Sequence, residues 1–125
     1  MNFFEKEEFE CKCRVECEGK SSELSPILHS ELNKIRAKLG CSITVTSAVR
    51  CEAHNKSVGG APKSFHVRGL AADIKCKPEK MAELLMLCKD SSALKGIGVS
   101  SNFIHIDVRP TAVRVEWKYP TGAKG

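Results

Sequence analysis

The feature that most constrains this chain is a two-residue alternation in two short aliphatic runs. In Phe103-Ile104-His105-Ile106-Asp107-Val108, an extended backbone puts Ile104, Ile106 and Val108 on one side and Phe103, His105 and Asp107 on the other. In Leu70-Ala71-Ala72-Asp73-Ile74-Lys75-Cys76, Leu70, Ala72, Ile74 and Cys76 share a side, and Asp73 lies opposite with Ala71 and Lys75. Helical winding would mix these sets; a strand buried on one side sorts them. Each run therefore feeds a core with one face and carries an ionisable group on the other.

The flanking pattern supplies the partners. Ser25-Pro26 predicts a helix start, with serine as cap and proline at the first helical position. Leu28, Leu32, Ile35 and Leu39 form its apolar stripe, and Gly40 ends it. Cys41 to Ser47 predicts a strand with Ile43 and Val45 against Thr44 and Thr46. Pro78 opens a second helix with Met81, Leu84, Leu85 and Cys88 as its buried stripe. Lys95 to Val99 reads as a short strand or turn, and Ala112 to Trp117 as a last strand. Residues 3–9 read as a short helix or turn tucking in phenylalanines, Cys51 to Ser57 as a helical turn, and residues 18–24 and 58–63 as loops.

Consecutive strands joined by tight turns pair antiparallel. The expected fold class is α+β: a small antiparallel sheet with helices packed on one face. At 125 residues the chain reads as a single domain over 1–125, with an N-terminal segment at 1–24 carrying a cysteine cluster and a frayed tail at 120–125.

Composition removes several function classes. No apolar run reaches the length of a membrane span. Met1 to Lys6 is not followed by an apolar stretch, so no secretory signal is read and the expected site of synthesis and residence is the cytoplasm. The net charge of +5 comes from scattered basic residues, with one Trp, one Tyr and five Phe for stacking, so no nucleic-acid groove is expected. The seven cysteines are odd in number, which argues against a complete disulfide framework. Cys41, Cys76 and Cys88 fit as small core residues. Cys11, Cys13 and Cys17 are compatible with a second metal site, an oxidised pair or thiols in a turn; the lack of a fourth ligand at zinc spacing favours the turn.

Asp73 and His105 become informative when the two runs are placed side by side. Opposed residues on one face of neighbouring strands bring their Cβ atoms within about 5 Å. That spans two ligands of one ion at roughly 2.0–2.2 Å per bond. His66, in the segment leading into the Asp73 strand, adds a second imidazole; Gly69 gives that segment room to turn, and Ala71 and Ala72 allow close approach. Two imidazoles and one carboxylate suit a catalytic zinc whose fourth position is left to water. Spacing alone leaves open the plainer reading of two strand histidines beside aspartates.

The text beyond these three residues narrows the choice. Thr46-Ser47-Ala48-Val49-Arg50, then His54-Asn55-x-x-Val58-Gly59-Gly60-Ala61-Pro62-x-Ser64-x-His66-x-x-Gly69-x-Ala71-Ala72-Asp73, then Phe103-Ile104-His105-Ile106-Asp107-Val108-Arg109, resembles the zinc D-alanyl-D-alanine carboxypeptidase family. The likeness covers roughly residues 9–118 and is nearest to the small peptidoglycan peptidases of bacteria and phages, whose fold hedgehog-type domains share. The resemblance implies that His66, Asp73 and His105 hold one Zn2+. It implies that Arg50 faces the cleft, binding a substrate carboxylate or the oxyanion, and that Ser64 supports the site or touches the substrate backbone.

The resemblance also exposes a departure. Many family members carry an acidic residue three positions before the last zinc histidine, and here that position is Asn102, which cannot act as a base. Asp107 is then either the general base or the partner that orients His105. The implied function is zinc-dependent hydrolysis of a stem-peptide bond in peptidoglycan, of D,D-carboxypeptidase or L-alanyl-D-glutamate endopeptidase type; a monomer is expected, either a phage or prophage lysis module that reaches the wall after release or a cytoplasmic dipeptidase. The alternative is a non-catalytic zinc module that binds cell wall or protein, for instance in a phage tail.

Overall fold

The computed structural model describes residues 2–11, 23–51, 55–56 and 64–119. Expectations for Cys13, Cys17, residues 18–22 and 58–63 and the tail from Pro120 lie outside the described residues; of the turn expected over Cys51 to Ser57, Cys51, Asn55 and Lys56 are described, and only the last two are helical. The chain runs through a 3-10 turn (Lys6–Phe9), helix α1 (Pro26–Leu39), strands β1 (Thr44–Ser47) and β2 (Ala71–Lys75), a 3-10 turn (Pro78–Lys80) leading into helix α2 (Met81–Asp90), and strands β3 (Gly96–Val99), β4 (Ile104–Asp107) and β5 (Val115–Lys118).

The α1 stripe behaves as its spacing predicts: Leu28, Leu32, Ile35 and Leu39 are all buried. Gly40 closes the helix in the left-handed region at φ 76°, a conformation that side chains with a Cβ rarely adopt. The start differs from expectation. The Ser25 side chain makes no capping bond; its backbone carbonyl accepts from His29 N–H at 3.0 Å, and its own N–H donates to the Gly69 carbonyl at 2.8 Å. That second bond ties α1 to the turn that carries His66. In α2, Leu84 and Cys88 are fully buried while Met81 and Leu85 are partly so.

These stripes meet the aliphatic face of the sheet. Val45, Ala72, Ile74, Ile97, Ile104 and Ile106 join the helix residues in one core, sealed at the N-terminus by Phe4 and Phe9, whose ring centroids are 5.6 Å apart. Burying one such large aliphatic side chain stabilises the fold by about 1.5–3 kcal/mol, so this cluster dominates what holds the sheet in place. Cys88 belongs to it, and Cys41 and Cys76 pack against its margin.

The five strands form one sheet in the order β1-β2-β4-β3-β5. The first four pair antiparallel, but β5 runs parallel to β3, so the sheet is mixed rather than wholly antiparallel. Both flanks of β4 are already taken by β2 and β3, so the last strand joins at an edge of the sheet, the outer side of β3. Residues 108–114 carry the chain across the end of β3, where Val115 N–H donates to the Lys95 carbonyl at 2.9 Å and starts the parallel ladder. Among the described residues, no helix is long and apolar enough to cross a membrane.

Candidate metal centre

The face of the sheet away from the helices should be wet, yet Ala71, Asp73, His105 and Asp107 are all buried there. Strand register explains the crowding. Ser47 pairs with Asp73, Asp73 with His105, His105 with Gly98, and Gly98 with Trp117, making one row across all five strands. The neighbouring row places Ala71, Asp107, Gly96 and Val115 side by side.

His66 reaches the row from the turn between β1 and β2. Ser64 Oγ accepts the His66 N–H at 3.1 Å, and the His66 carbonyl accepts from Arg50 N–H at 3.1 Å and from Gly69 N–H at 3.2 Å. Gly69 takes φ 72°, turning the chain back into β2. The imidazole is fixed as firmly as the backbone: Nδ1–H donates to the Ala48 carbonyl at 2.7 Å. A carbonyl can only accept, so Nδ1 carries the proton and Nε2 of the neutral ring is a lone pair.

That lone pair has no hydrogen-bond partner, although it is buried. It lies 3.2 Å from Asp73 Oδ1, with its neighbour His105 Nδ1 only 3.0 Å from the same oxygen. Two acceptors facing each other in a dry site are costly unless a cation lies between them. One ligand atom from each of His66, Asp73 and His105 lies within 4.8 Å of the others, so the three could hold a metal ion. The donor set of two imidazole nitrogens and a carboxylate oxygen is the set that suits zinc with an open position.

Each donor is braced from behind. His105 Nε2 lies 2.8 Å from Asp107 Oδ2. Asp107 is fully buried, and its remaining acceptor positions are taken by Arg109: Nη2 at 2.8 Å on Oδ2, with Nε at 2.9 Å and the backbone N–H at 3.1 Å on Oδ1. Arg50, also buried, places Nη2 3.4 Å from Asp73 Oδ2, while Nε donates to Ser47 Oγ at 2.9 Å and Nη1 to Asn55 Oδ1 at 3.2 Å. Arg50 thus grips the oxygen of Asp73 that faces away from the histidines.

The charges follow from these contacts. Burial pushes the Asp73 carboxyl upward, but its hydrogen bond with His105, and positive charge on the two imidazoles, outweigh this and hold it at about 2. Burial likewise opposes ionisation of Asp107, and the hydrogen bonds from Arg109 and His105 overcome it, holding the carboxyl well below the ordinary range. Burial would lower the His105 pKa, yet hydrogen bonds to Asp107 and Asp73 raise it. Burial lowers that of Arg50, and the nearby Asp73 charge only partly restores it.

All of the candidate residues read from sequence, His66, Asp73, His105, Arg50, Ser64 and Asp107, meet in this region. Asn102 does not: it is exposed in the turn between β3 and β4, where its N–H donates to Ser100 Oγ at 3.4 Å. Sequence reasoning missed Arg109, Trp117 and the two glycines of β3. A methyl group on Gly96 would collide with the Asp107 carboxylate, and one on Gly98 would stand 2.5 Å from Trp117 Cε2. Glycines at alternate positions in a strand were the available signal, since they mark close approach by a neighbour. Arg109 lies across Phe65 at 4.7 Å and Trp117 at 5.2 Å from the ring centroids, which closes the wall beside His105.

No curated protein matches the chain. The family model described as Peptidase M15 matches residues 2–107, a span that runs through α1, the His66 turn and β4 to Asp107. The chain therefore belongs to the M15 peptidases, the zinc D-alanyl-D-alanine carboxypeptidase type.

Proposed function

We propose that this protein is a zinc-dependent peptidase that hydrolyses a peptide bond in the stem peptides of peptidoglycan, of the D,D-carboxypeptidase or L-alanyl-D-glutamate endopeptidase kind. The observation that carries the reading is the buried, unpartnered Nε2 of His66, facing Asp73 Oδ1 next to His105 Nδ1. His66, Asp73 and His105 would hold the metal. Bound there, zinc supplies Lewis acidity toward a carbonyl and lowers the pKa of a water molecule.

The remaining residues divide into holding and receiving roles. Ala48 and Asp107 fix the rotation and tautomer of the two imidazoles through the nitrogens that face away from Asp73. Asp107 is assigned to orienting His105 rather than to proton transfer, because both its oxygens are engaged by Arg109 and His105. Arg50 contacts the far oxygen of Asp73 and is the positive group adjoining the centre, suited to a substrate carboxylate or a developing oxyanion. Ser64 shapes the His66 turn.

One observation favours a second reading, a zinc module that binds wall or protein without hydrolysis. Asn102 stands where an acid is expected, and both carboxylates of the centre are already engaged. The experiment that separates the two is product release from purified peptidoglycan by the zinc-loaded protein and by His66→Ala. Hydrolysis by the wild type alone, with product masses identifying the bond, supports the peptidase. Equal release by both proteins removes it.

A further inference from the structure

Trp117 lies beyond the part of the chain that the family model covers, yet it completes the row that holds Asp73 and His105. Gly98 stands between Trp117 and His105 and has no side chain to separate them. The indole lies so close over Gly98 that a Cβ there would meet Cε2 at 2.5 Å. Its ring centroid comes to 5.3 Å from that of His105, tilted by 48°. Arg109 clamps the indole from one side at 5.2 Å and Tyr119 abuts it at 5.9 Å, but the residue remains half-buried. Its side chain is thus a rigid, partly open apolar surface at the edge of the candidate metal centre.

We propose that Trp117, laid against Gly98, is a substrate-positioning residue on which the alanyl residue beside the scissile bond packs its methyl group. The proposal rests on the peptidase reading above for the identity of the substrate. Distance selects the residue that is held. An extended peptide advances about 3.3 Å per residue, so a group resting on an indole 5.3 Å from His105 is next to the bond at the metal, not remote from it. Charge selects its chemistry. Arg109, the cation touching the indole, is neutralised by Asp107 through two guanidinium hydrogen bonds, so the surface favours an uncharged alkyl group over an acidic one. Rigidity makes the contact effective, because an aromatic ring already clamped in place loses little freedom on binding.

Trp117 is the chain's one tryptophan, so its fluorescence reports occupancy without reference to turnover. The test measures acrylamide quenching of the zinc-loaded full chain by stopped flow, with and without a soluble pentapeptide stem. A stem with glycine replacing its alanines is the control. The expected result is protection by the alanine stem and little by the glycine stem. Steady-state kinetics extend the test: Trp117→Leu should raise KM roughly tenfold with zinc content unchanged and kcat less affected, and Trp117→Phe should restore most of the loss. Hydrolysis without protection, or with equal protection by both stems, overturns the positioning role and leaves the peptidase standing. Protection without hydrolysis keeps the surface and removes the peptidase. Neither effect overturns both.

Discussion

His105 and Asp107, two residues apart on β4, face each other through a 2.8 Å contact between Nε2 and Oδ2, on the side of the imidazole away from Asp73 and His66. This makes Asp107 a brace. If it acts only by orienting and polarising His105, Asp107→Asn should weaken zinc binding by about 10–100-fold. Competition against a chromogenic chelator measures this directly. Unchanged affinity with abolished turnover would return Asp107 to the role of general base.

Gly96 makes the space that the brace occupies. Gly96→Ala introduces a methyl into the Asp107 carboxylate, and both that carboxylate and the strand are buried. The expected cost is about 1–3 kcal/mol of unfolding free energy, from overpacking, together with weaker zinc binding. Urea denaturation of the metal-free variant gives the first quantity. A variant as stable as the wild type would mean that the Asp107–Arg109 pair can move aside.

Arg50 holds the far oxygen of Asp73 in a buried pair. Arg50→Ala leaves that carboxylate without its cation and should cost the metal-free protein about 3 kcal/mol. Because the metal supplies positive charge on the same carboxylate, zinc should recover part of the loss. Thermal melts with and without zinc check this: the variant should show the larger rise on loading.

Acid sensitivity of the metal-free protein follows from the same contacts. Asp73 is held at about 2 against an ordinary 3.8, the depressed case, so the unfolded chain takes up the proton first as pH falls. Its contribution is complete above about pH 4 and disappears towards pH 2, amounting to roughly 2 kcal/mol. The depressed Asp107 adds loss of the same sign as pH falls. His105, whose pKa is raised, contributes in the opposite sense: its stabilisation is present below its ordinary value and is lost as pH rises through the higher folded one. Urea midpoints across pH should therefore peak between these limits, and Asp73→Asn should flatten the acid limb.

Much of this arrangement is legible in local sequence because it depends on period alone. The alternation at 70–76 and 103–108 sorts core from site, and the pairing of Asp73 with His105 needs only that β2 and β4 be neighbours. The parallel edge strand is not legible, because nothing within Val115 to Lys118 encodes which of the two sheet edges, β1 or β3, it joins. Arg109 and Trp117 were hidden for a related reason. Trp117 lies over Gly98, and the Asp107 carboxylate that Arg109 grips lies over Gly96, and the absence of a side chain at either glycine becomes meaningful only when the register is known. The Ser25 side chain makes no cap, and the contact that its backbone N–H makes instead, to the Gly69 carbonyl, joins residues far apart in the chain and is not encoded locally.

The central claim is that His66, Asp73 and His105 form one zinc site through the lone pair that His66 Nε2 leaves buried. Zinc content per chain after loading and desalting tests it, measured on the wild type and on His66→Ala at equal protein concentration. The expected result is one zinc ion fewer per chain in the variant, with the variant still folded by circular dichroism. Equal zinc content in two folded proteins would contradict the site.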